Sequence, residues 1–245
     1  MGYMPTLKDL ENPNSSLATE VISTDNRVIG KFYLQNRSNI AYANINPNLR
    51  NALLATEDIR FFNHTGVDLR ALGRVVKSMG GGGGGSTVTQ QLAKNLFPRE
   101  RLSKIQLIFR KLKEWIIAVK LERSYTKEEI MAMYFNTVPF SDNAYGIKSA
   151  AYVYFGKPVD SLKIEEAAVL VGMLKAPSDY NPKSKREASL QRRNVVIDQM
   201  YNYKFISKQQ RDSLFKLPVV IDFHSDTQSD GIAPYFREYL RLWMK

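Results

Sequence analysis

The sequence predicts a mainly α-helical domain that follows a short N-terminal β element. Beyond about residue 87, apolar residues recur at helical spacing between capping residues. Residues 164–175 form a nearly continuous apolar run that stops before Pro177, as a buried helix would. Strand-like residues are confined to the region near residues 21–34. With 245 residues, 44% of them hydrophobic, the chain is long enough to bury one or two cores.

The first third of the chain ends in a glycine run. Residues 1–20 are polar and are interpreted as a linker, whereas residues 21–23 and 28–34 flank a polar turn, which is typical of two strands. Asn46 and Pro47 supply an N-cap and a first-turn proline for a helix that reaches Ala55. Residues 80–85 are six consecutive glycines, which indicate a flexible surface loop or a loop that cradles phosphate. A Walker P-loop is disfavoured because no lysine follows Gly85.

Pairs of capping residues predict the later helices. Ser or Thr stands three positions before Gln or Glu at four places: Thr87, Thr126, Ser184 and Ser207. A long amphipathic segment carries apolar residues at helical spacing: Ile105, Ile108, Leu112, Trp115 and Val119. We therefore predict three regions, namely a linker with a small β element at 1–45, a helical domain at 46–217 and a C-terminal tail at 218–245.

Charge and residue usage limit the function. Thirty-five Lys and Arg against 24 Asp and Glu give a net charge of +11, which favours nucleic acid, anionic lipid or a phosphorylated substrate as partner. The lack of Cys excludes disulfides, a thiol nucleophile and Cys-based metal sites, and two histidines cannot form a three-histidine centre. No apolar run approaches the ~18 residues of a spanning helix, and no signal peptide begins the chain. We therefore expect a cytosolic protein or a fragment without its targeting segment.

The first candidate site is an acid pair, Glu57-Asp58, that follows the apolar end of a predicted helix and precedes aromatic residues and His64. A carboxylate beside apolar side chains is favoured in its protonated form, which suits a general acid or base. The pattern alone also allows a solvated acid pair at a helix end.

The second candidate site follows the glycine run. It carries hydroxyl, amide and cationic side chains: Ser86, Thr87, Gln90, Gln91, Lys94 and Asn95. A glycine-rich entry to a helix exposes backbone N–H groups, and the helix dipole there favours anions. Hydroxyls and amides suit sugar hydroxyls, and one lysine suits a phosphate. A polar exposed helix face is the alternative.

The third candidate site lies inside the long amphipathic segment. Arg110 and Lys111 stand four and three residues before Glu114, so the three side chains can share one side of a helix. The functional interpretation has Glu114 orienting two cations that hold a pyrophosphate. An ordinary surface ion pair is the alternative.

Together these segments closely resemble the peptidoglycan glycosyltransferase domain of class A penicillin-binding proteins, glycosyltransferase family 51. The five motifs of that family match, in order, residues 57–66, 84–95, 110–114, 127–136 and 192–197. The second motif is met at every fixed position. The fourth has Phe135 where Leu is usual, and the fifth departs mildly at Val196 and Ile197. The resemblance covers about residues 15–240.

The resemblance implies a lysozyme-like helical lobe with a small membrane-associated jaw. It implies polymerisation of lipid II into β1,4-linked glycan with inversion at C1 and release of undecaprenyl pyrophosphate. Glu57 would be the general base, and Glu114 would organise the donor side, with a divalent ion (Mg or Mn) as a candidate there and no organic cofactor. The implied substrate-binding residues are Asp58, His64, Ser86, Thr87, Gln90, Gln91, Lys94, Asn95, Arg110 and Lys111.

The resemblance also implies partners and a location. The partners are lipid II, the growing glycan strand, an anionic membrane surface and the inhibitor moenomycin, with no nucleic acid. The location is the outer, periplasmic face of the bacterial cytoplasmic membrane, with a transmembrane anchor that this chain lacks. Residues 96–109 mix apolar and basic side chains, which favours an interfacial segment; an ordinary core helix is the alternative.

Two other functions stay open on the sequence. A lysozyme-like hydrolase would share the helices and an early glutamate, but it needs two carboxylates and no pyrophosphate site. A non-enzymatic basic domain that binds nucleic acid would explain the charge, although the cations are spread along the chain without a nucleic-acid motif.

Overall fold

A computed structural model describes residues 19–22, 24–25, 28–32, 39–77, 84–96 and 104–224, together with residues 236, 239 and 243. Several predicted features lie outside the described residues. These are the linker before residue 19, glycines 80–83, residues 97–103 of the predicted interfacial segment and most of the predicted tail after residue 224.

The N-terminal described segments form a two-stranded sheet. Strand β1 (Thr19–Ile22) pairs antiparallel with β2 (Val28–Phe32), with Thr19 opposite Phe32 and a register shift between Val21 and Ile22. Strand β1 begins two residues before the predicted start, and β2 begins at the predicted residue.

Helices make up most of the described chain. In order, they are α1 (Pro47–Glu57), α2 (Leu69–Lys77), α3 (Val88–Asn95), α4 (Lys104–Ser124), α5 (Lys127–Thr137), α6 (Gly146–Phe155), α7 (Ile164–Met173), α8 (Arg186–Asn202) and α9 (Lys208–Phe215). Short 3-10 turns occur at Tyr42–Asn44, Phe61–Asn63 and Val159–Ser161.

Most predicted caps are confirmed. The Asn46 side chain accepts from the Asn48 N–H (2.8 Å) and Pro47 opens α1. Thr126 and Ser207 each form a reciprocal capping box, at the starts of α5 and α9. Thr87 accepts from the Gln90 N–H (3.1 Å) at the start of α3. These caps satisfy N–H groups that a helix start leaves without partners.

The predicted cap at Ser184 is wrong. Helix α8 begins at Arg186, and its N-cap residue, Lys185, makes no side-chain cap. The reason lies upstream, where the Asn181 side-chain oxygen accepts from the N–H groups of Lys183 (2.8 Å) and Ser184 (3.3 Å). That asparagine turn holds residues 181–184 outside the helix, so the helix starts one residue later than a cap at Ser184 predicts.

The core is built around α7, whose residues 167–173 are all buried, as the apolar run predicts. Helices α1 and α8 pack against α7, and α1 also packs against α8. On the other side, α3 packs against both α4 and α5. Glu57, at the end of α1, bonds to Gln91 of α3, and residues of α1, α3, α4 and α8 line one cleft.

Helix α4 departs from the expected pattern of a core helix. Among its apolar residues Ile117 and Leu121 are buried, whereas Leu107, Ile108 and Phe109 are 51%, 65% and 62% exposed. The core-helix alternative for the interfacial segment is therefore wrong for residues 107–109. Within the described part of the chain, no helix is both long and apolar enough to cross a membrane.

Candidate active site

Glu57 is the last residue of α1, and its carboxylate lies at the cleft surface with 18% of the side chain exposed. Its Oε2 atom accepts a hydrogen bond from Nε2 of Gln91, on α3 (2.8 Å). Its Oε1 atom lies 3.9 Å from a guanidinium nitrogen of Arg192, on α8. The carboxylate is therefore oriented by one donor and faces a cation, while part of it stays open to the cleft.

Asp58, by contrast, is directed into the protein. It is 7% exposed, and its Oδ2 atom accepts from His64 Nε2 (2.8 Å) and from the Val88 N–H (3.1 Å) at the start of α3. The Gly66 N–H donates to His64 Nδ1 (3.2 Å), so the imidazole carries its proton on Nε2. The pair ties the loop after α1 to the beginning of α3.

Gly66 allows this loop to pass close to α4. Its φ of +92° is a left-handed conformation, and a Cβ atom there would lie 2.8 Å from the Ala118 carbonyl carbon. The Gly66 carbonyl accepts from Thr87 Oγ1 (2.7 Å) and from Gln90 Nε2 (3.4 Å). The first and second motifs are thus joined through backbone as well as side chains.

The third motif forms a cationic cluster on the cleft walls. Glu114 is 8% exposed; its Oε2 lies 2.9 Å from Lys111 Nζ and its Oε1 lies 3.7 Å from Arg110 Nε. Lys111 Nζ also donates to Ser86 Oγ (2.9 Å). The predicted shared side of the helix is confirmed, and the cluster is more than a surface pair because its carboxylate is buried.

Lys94 completes the cationic wall. It lies in the last turn of α3, is exposed in the cleft, and makes no hydrogen bond or ion pair with any other described residue. An unpaired ammonium group in a concave site is available to an anionic ligand. Asn95 follows it on the cleft wall.

One cleft of about 1520 Å³ gathers nearly all of the predicted site residues. Those on its walls are Glu57, Asp58, Ser86, Thr87, Gln90, Gln91, Lys94, Asn95, Arg110, Lys111 and Glu114. His64 is not among the wall residues, and its Nε2 atom bonds to the wall residue Asp58 (2.8 Å).

Sequence reasoning did not assign site roles to several residues on these walls. Arg70 and Arg74 of α2 line the cleft, and their spacing of four residues is the signal that could have found them. Arg192, the first arginine of the fifth motif, faces Glu57. Its neighbour Arg193 is buried and donates to the carbonyls of Leu214 and Pro218 (both 3.3 Å). Burial lowers the pKa of Arg193, although the charge of Glu165 opposes that shift.

Two residues of the fourth motif, Lys127 and Tyr134, contact the first two motifs, and Tyr134 also lines the cleft. Tyr134 is buried, and its hydroxyl donates to Gln91 Oε1 (3.0 Å). Lys127 donates to the His64 carbonyl (2.6 Å) and pairs with Glu122 (2.8 Å). These contacts join α5 to the loop and helix that carry the first two motifs.

The described side chains offer few ligands for the divalent ion that the resemblance implies. Within residues 39–77, 84–96 and 104–224, no three or more His, Asp or Glu residues lie close enough to hold a metal ion. Both oxygens of Glu114 already face cations. The described side chains do not fit a metal held by the protein alone, and an ion there would need phosphate oxygens of a substrate as ligands.

The fold, the five motifs and the cleft define a transglycosylase. A family model described as Transglycosylase matches residues 25–201 of this chain. The chain belongs to that family, the peptidoglycan glycosyltransferase domains of class A penicillin-binding proteins.

Individual relatives agree with this assignment. The chain is 36% identical to penicillin-binding protein 1A of Pseudomonas aeruginosa over 98% of this chain and 29% of that protein. It is 39% identical to penicillin-binding protein 1A of Aquifex aeolicus over 89% of this chain and 30% of that protein. A crystal structure of penicillin-binding protein 1A from Haemophilus influenzae superposes with a TM-score of 0.53 at 25% identity, over 94% of this chain and 24% of that one. The chain spans less than a third of the length of these curated relatives.

Proposed function

We propose that this chain polymerises lipid II, with Glu57 as the general base. The acceptor 4-hydroxyl gives its proton to Glu57 as its oxygen forms a bond to C1 of the donor sugar. The bond from C1 to the pyrophosphate oxygen breaks, and its electron pair leaves with the undecaprenyl pyrophosphate. Attack from the opposite face converts an α linkage into a β1,4 linkage.

The observation that carries the proposal is that one cleft holds a partly exposed carboxylate and a separate cationic wall. Glu57 keeps one oxygen without a close hydrogen-bond donor among the described residues, which suits a base. The cationic wall consists of Lys94, Arg110 and Lys111. Cations placed where negative charge develops stabilise a leaving pyrophosphate.

The neutral polar residues suit the sugar rings. Ser86 and Asn95 lie on the cleft walls, where they would bind hydroxyl or amide groups of the disaccharide. Gln90 is 1% exposed, and its Oε1 atom has no hydrogen-bond partner among the described residues. Such a buried acceptor is expected to find a donor, and a sugar hydroxyl or a water molecule would supply one.

A hydrolase is the second candidate, and the electrostatics of the cleft disfavour it. Glycoside hydrolysis uses two carboxylates that flank the scissile bond. Glu114 is the second glutamate of the cleft, but it is engaged by Lys111 and Arg110. Because that carboxylate is 8% exposed and both of its oxygens face cations, it is not placed to flank a glycosidic bond as a second catalytic carboxylate. Family membership also removes the non-enzymatic alternative.

We place the domain at the outer face of the bacterial cytoplasmic membrane, where its lipid-linked substrate lies. The described end of the interfacial segment supports contact with the bilayer, because Leu107, Ile108 and Phe109 are exposed. Leu112 and Ile116 extend this apolar surface along α4, at 46% and 45% exposure. Exposed apolar side chains on a chain of net charge +11 favour an anionic membrane surface.

Incubation of the protein with labelled lipid II and with preformed glycan tests the proposal. Growth of glycan strands from lipid II, with no shortening of the preformed glycan, is the expected result. Shortening of the glycan without growth would establish the hydrolase instead. A parallel reaction with a divalent chelator shows whether an ion assists the reaction.

A further inference from the structure

Three side chains from three helices form a hydrogen-bond chain that ends on Glu57. The Tyr134 hydroxyl on α5 donates to Gln91 Oε1 (3.0 Å), and Gln91 Nε2 on α3 donates to Glu57 Oε2 (2.8 Å) at the end of α1. Tyr134 is 1% exposed. We propose that Tyr134 and Gln91 are positioning residues of the general base, and that Glu57 Oε1 is the oxygen that takes the proton from the acceptor. This inference rests on the proposed function.

The hydrogen-bond chain has a preferred direction, because the Tyr134 hydroxyl needs an acceptor and the Gln91 side-chain oxygen supplies it. Gln91 could in principle turn its amide around and present its oxygen to Glu57. The amide N–H would then point at the Tyr134 oxygen, and the tyrosine O–H would lose the one acceptor that the described residues offer it. A buried donor without an acceptor is costly, so Tyr134 keeps the amide nitrogen directed at Glu57.

This direction matters for the chemistry. The amide N–H holds the Glu57 carboxylate in one orientation, and a general base must be oriented toward the proton that it takes. The bond engages Oε2, whereas Oε1 has no hydrogen-bond donor among the described residues. Burial, with a contribution from the charge of Glu57, raises the pKa of Tyr134 well above its usual value. The hydroxyl therefore remains a donor at any pH at which the enzyme would work.

Other charged groups near Glu57 act differently. Arg192 of α8 lies 3.9 Å from Oε1, beyond hydrogen-bond distance but close enough to stabilise a negative charge. Asp58, the next residue, directs its carboxylate at His64 and the start of α3. The remaining ionisable side chains on the walls around these helices include Lys94 of α3, Lys111 and Glu114 of α4, and Lys175 after α7. None of these donates a hydrogen bond to Glu57 among the contacts described.

The experiment compares Tyr134→Phe with a matched control, Tyr154→Phe. Tyr154 is equally buried and donates one hydrogen bond, to Asp142 Oδ2 (2.8 Å), but it is not on the cleft walls. Polymerisation of labelled lipid II is measured between about pH 5 and 9, since kcat/KM against pH reports the base of the free enzyme. Thermal unfolding of each variant is recorded alongside.

In Tyr134→Phe the amide can turn around and accept from a protonated Glu57. We therefore expect the acidic limb of the profile to move to higher pH by about one unit and the plateau to fall roughly tenfold. The Tyr154→Phe profile should coincide with that of the wild type. An unshifted acidic limb in a folded Tyr134→Phe protein would overturn the inference.

A second variant covers the case in which Tyr134→Phe does not fold. Gln91→Glu keeps the size of the side chain but places a carboxylate beside Glu57, and two neighbouring carboxylates share a proton. We expect a larger upward shift of the acidic limb; an unchanged limb would again overturn the inference. Absence of polymerisation by the wild-type protein would instead refute the proposed function itself.

Discussion

Glu114 holds the ammonium group of Lys111 at 2.9 Å, one turn away on the same helix, and keeps it in the cleft wall. The carboxylate is nearly buried, whereas 41% of the lysine side chain is exposed. A buried anion that fixes a more exposed cation sets the position of a positive charge before any ligand arrives. Such preorganised charge is what a leaving pyrophosphate requires.

The donor-side cations can therefore be tested directly. Lys111→Ala and Lys94→Ala should each weaken binding of moenomycin, because each removes a cation from the wall where we place the leaving pyrophosphate. A loss of roughly tenfold or more in affinity is expected for a charge-assisted contact. Titration with the inhibitor measures it. Lys185→Ala is the control, since that lysine pairs with Asp179 on the surface and is not on the cleft walls. Unchanged affinity for moenomycin in both cleft variants would contradict the placement of the leaving pyrophosphate at this wall.

Replacement by Ala should have very different effects on stability at two glycines, Gly66 and Gly73. Gly66→Ala should destabilise the fold by about 3 kcal/mol, because it combines a left-handed φ with a Cβ atom 2.8 Å from the Ala118 backbone. Gly73→Ala is the matched control: it lies in α2 with nothing within 4 Å of an added Cβ, so it should be neutral or slightly stabilising. Chemical denaturation of both variants makes the comparison. Equal stability of the two variants would show that the loop does not approach α4 as described.

The exposed apolar end of α4 predicts how the domain meets a membrane. Changing Leu107, Ile108 and Phe109 together to Ser should lower binding to anionic vesicles while the thermal transition is kept, because all three side chains are exposed. Binding of the wild type should also weaken as salt screens the basic groups. Flotation with vesicles measures both effects. A double change of Leu217 and Val220 to Ser, exposed residues of the C-terminal described segment, serves as control. Loss of the thermal transition in the triple variant would place these residues in the core.

Local chemistry made the helices predictable. Helix starts are predicted by capping residues that bond within three positions along the chain. The structure contains these contacts at Asn46, Thr126 and Ser207. The shared side of Lys111 and Glu114 follows from helical spacing alone. The predicted cap at Ser184 is wrong because the side-chain oxygen of Asn181 accepts from the Ser184 N–H and forms a competing local turn.

The hydrogen-bond partners of the site residues could not be predicted from local sequence in this way. Gln91 and Glu57 are 34 residues apart, and Tyr134 and Gln91 are 43 apart, so their meeting depends on how α1, α3 and α5 pack. The motifs identified which side chains gather in one cleft. They did not reveal that Asp58 and His64 bond to each other and to backbone N–H groups of the protein. The reason is that no spacing rule predicts a contact across a loop.

The central claim is that Glu57 is the general base, and the most direct measurement is the rate at which Glu57→Gln polymerises labelled lipid II. Gln keeps the size and hydrogen bonding of the side chain but cannot accept the proton, so the rate should fall by about 10²–10⁴-fold with the thermal transition unchanged. Glu128→Gln, an exposed glutamate in the first turn of α5, should polymerise at the wild-type rate. Near wild-type turnover by Glu57→Gln would contradict the account.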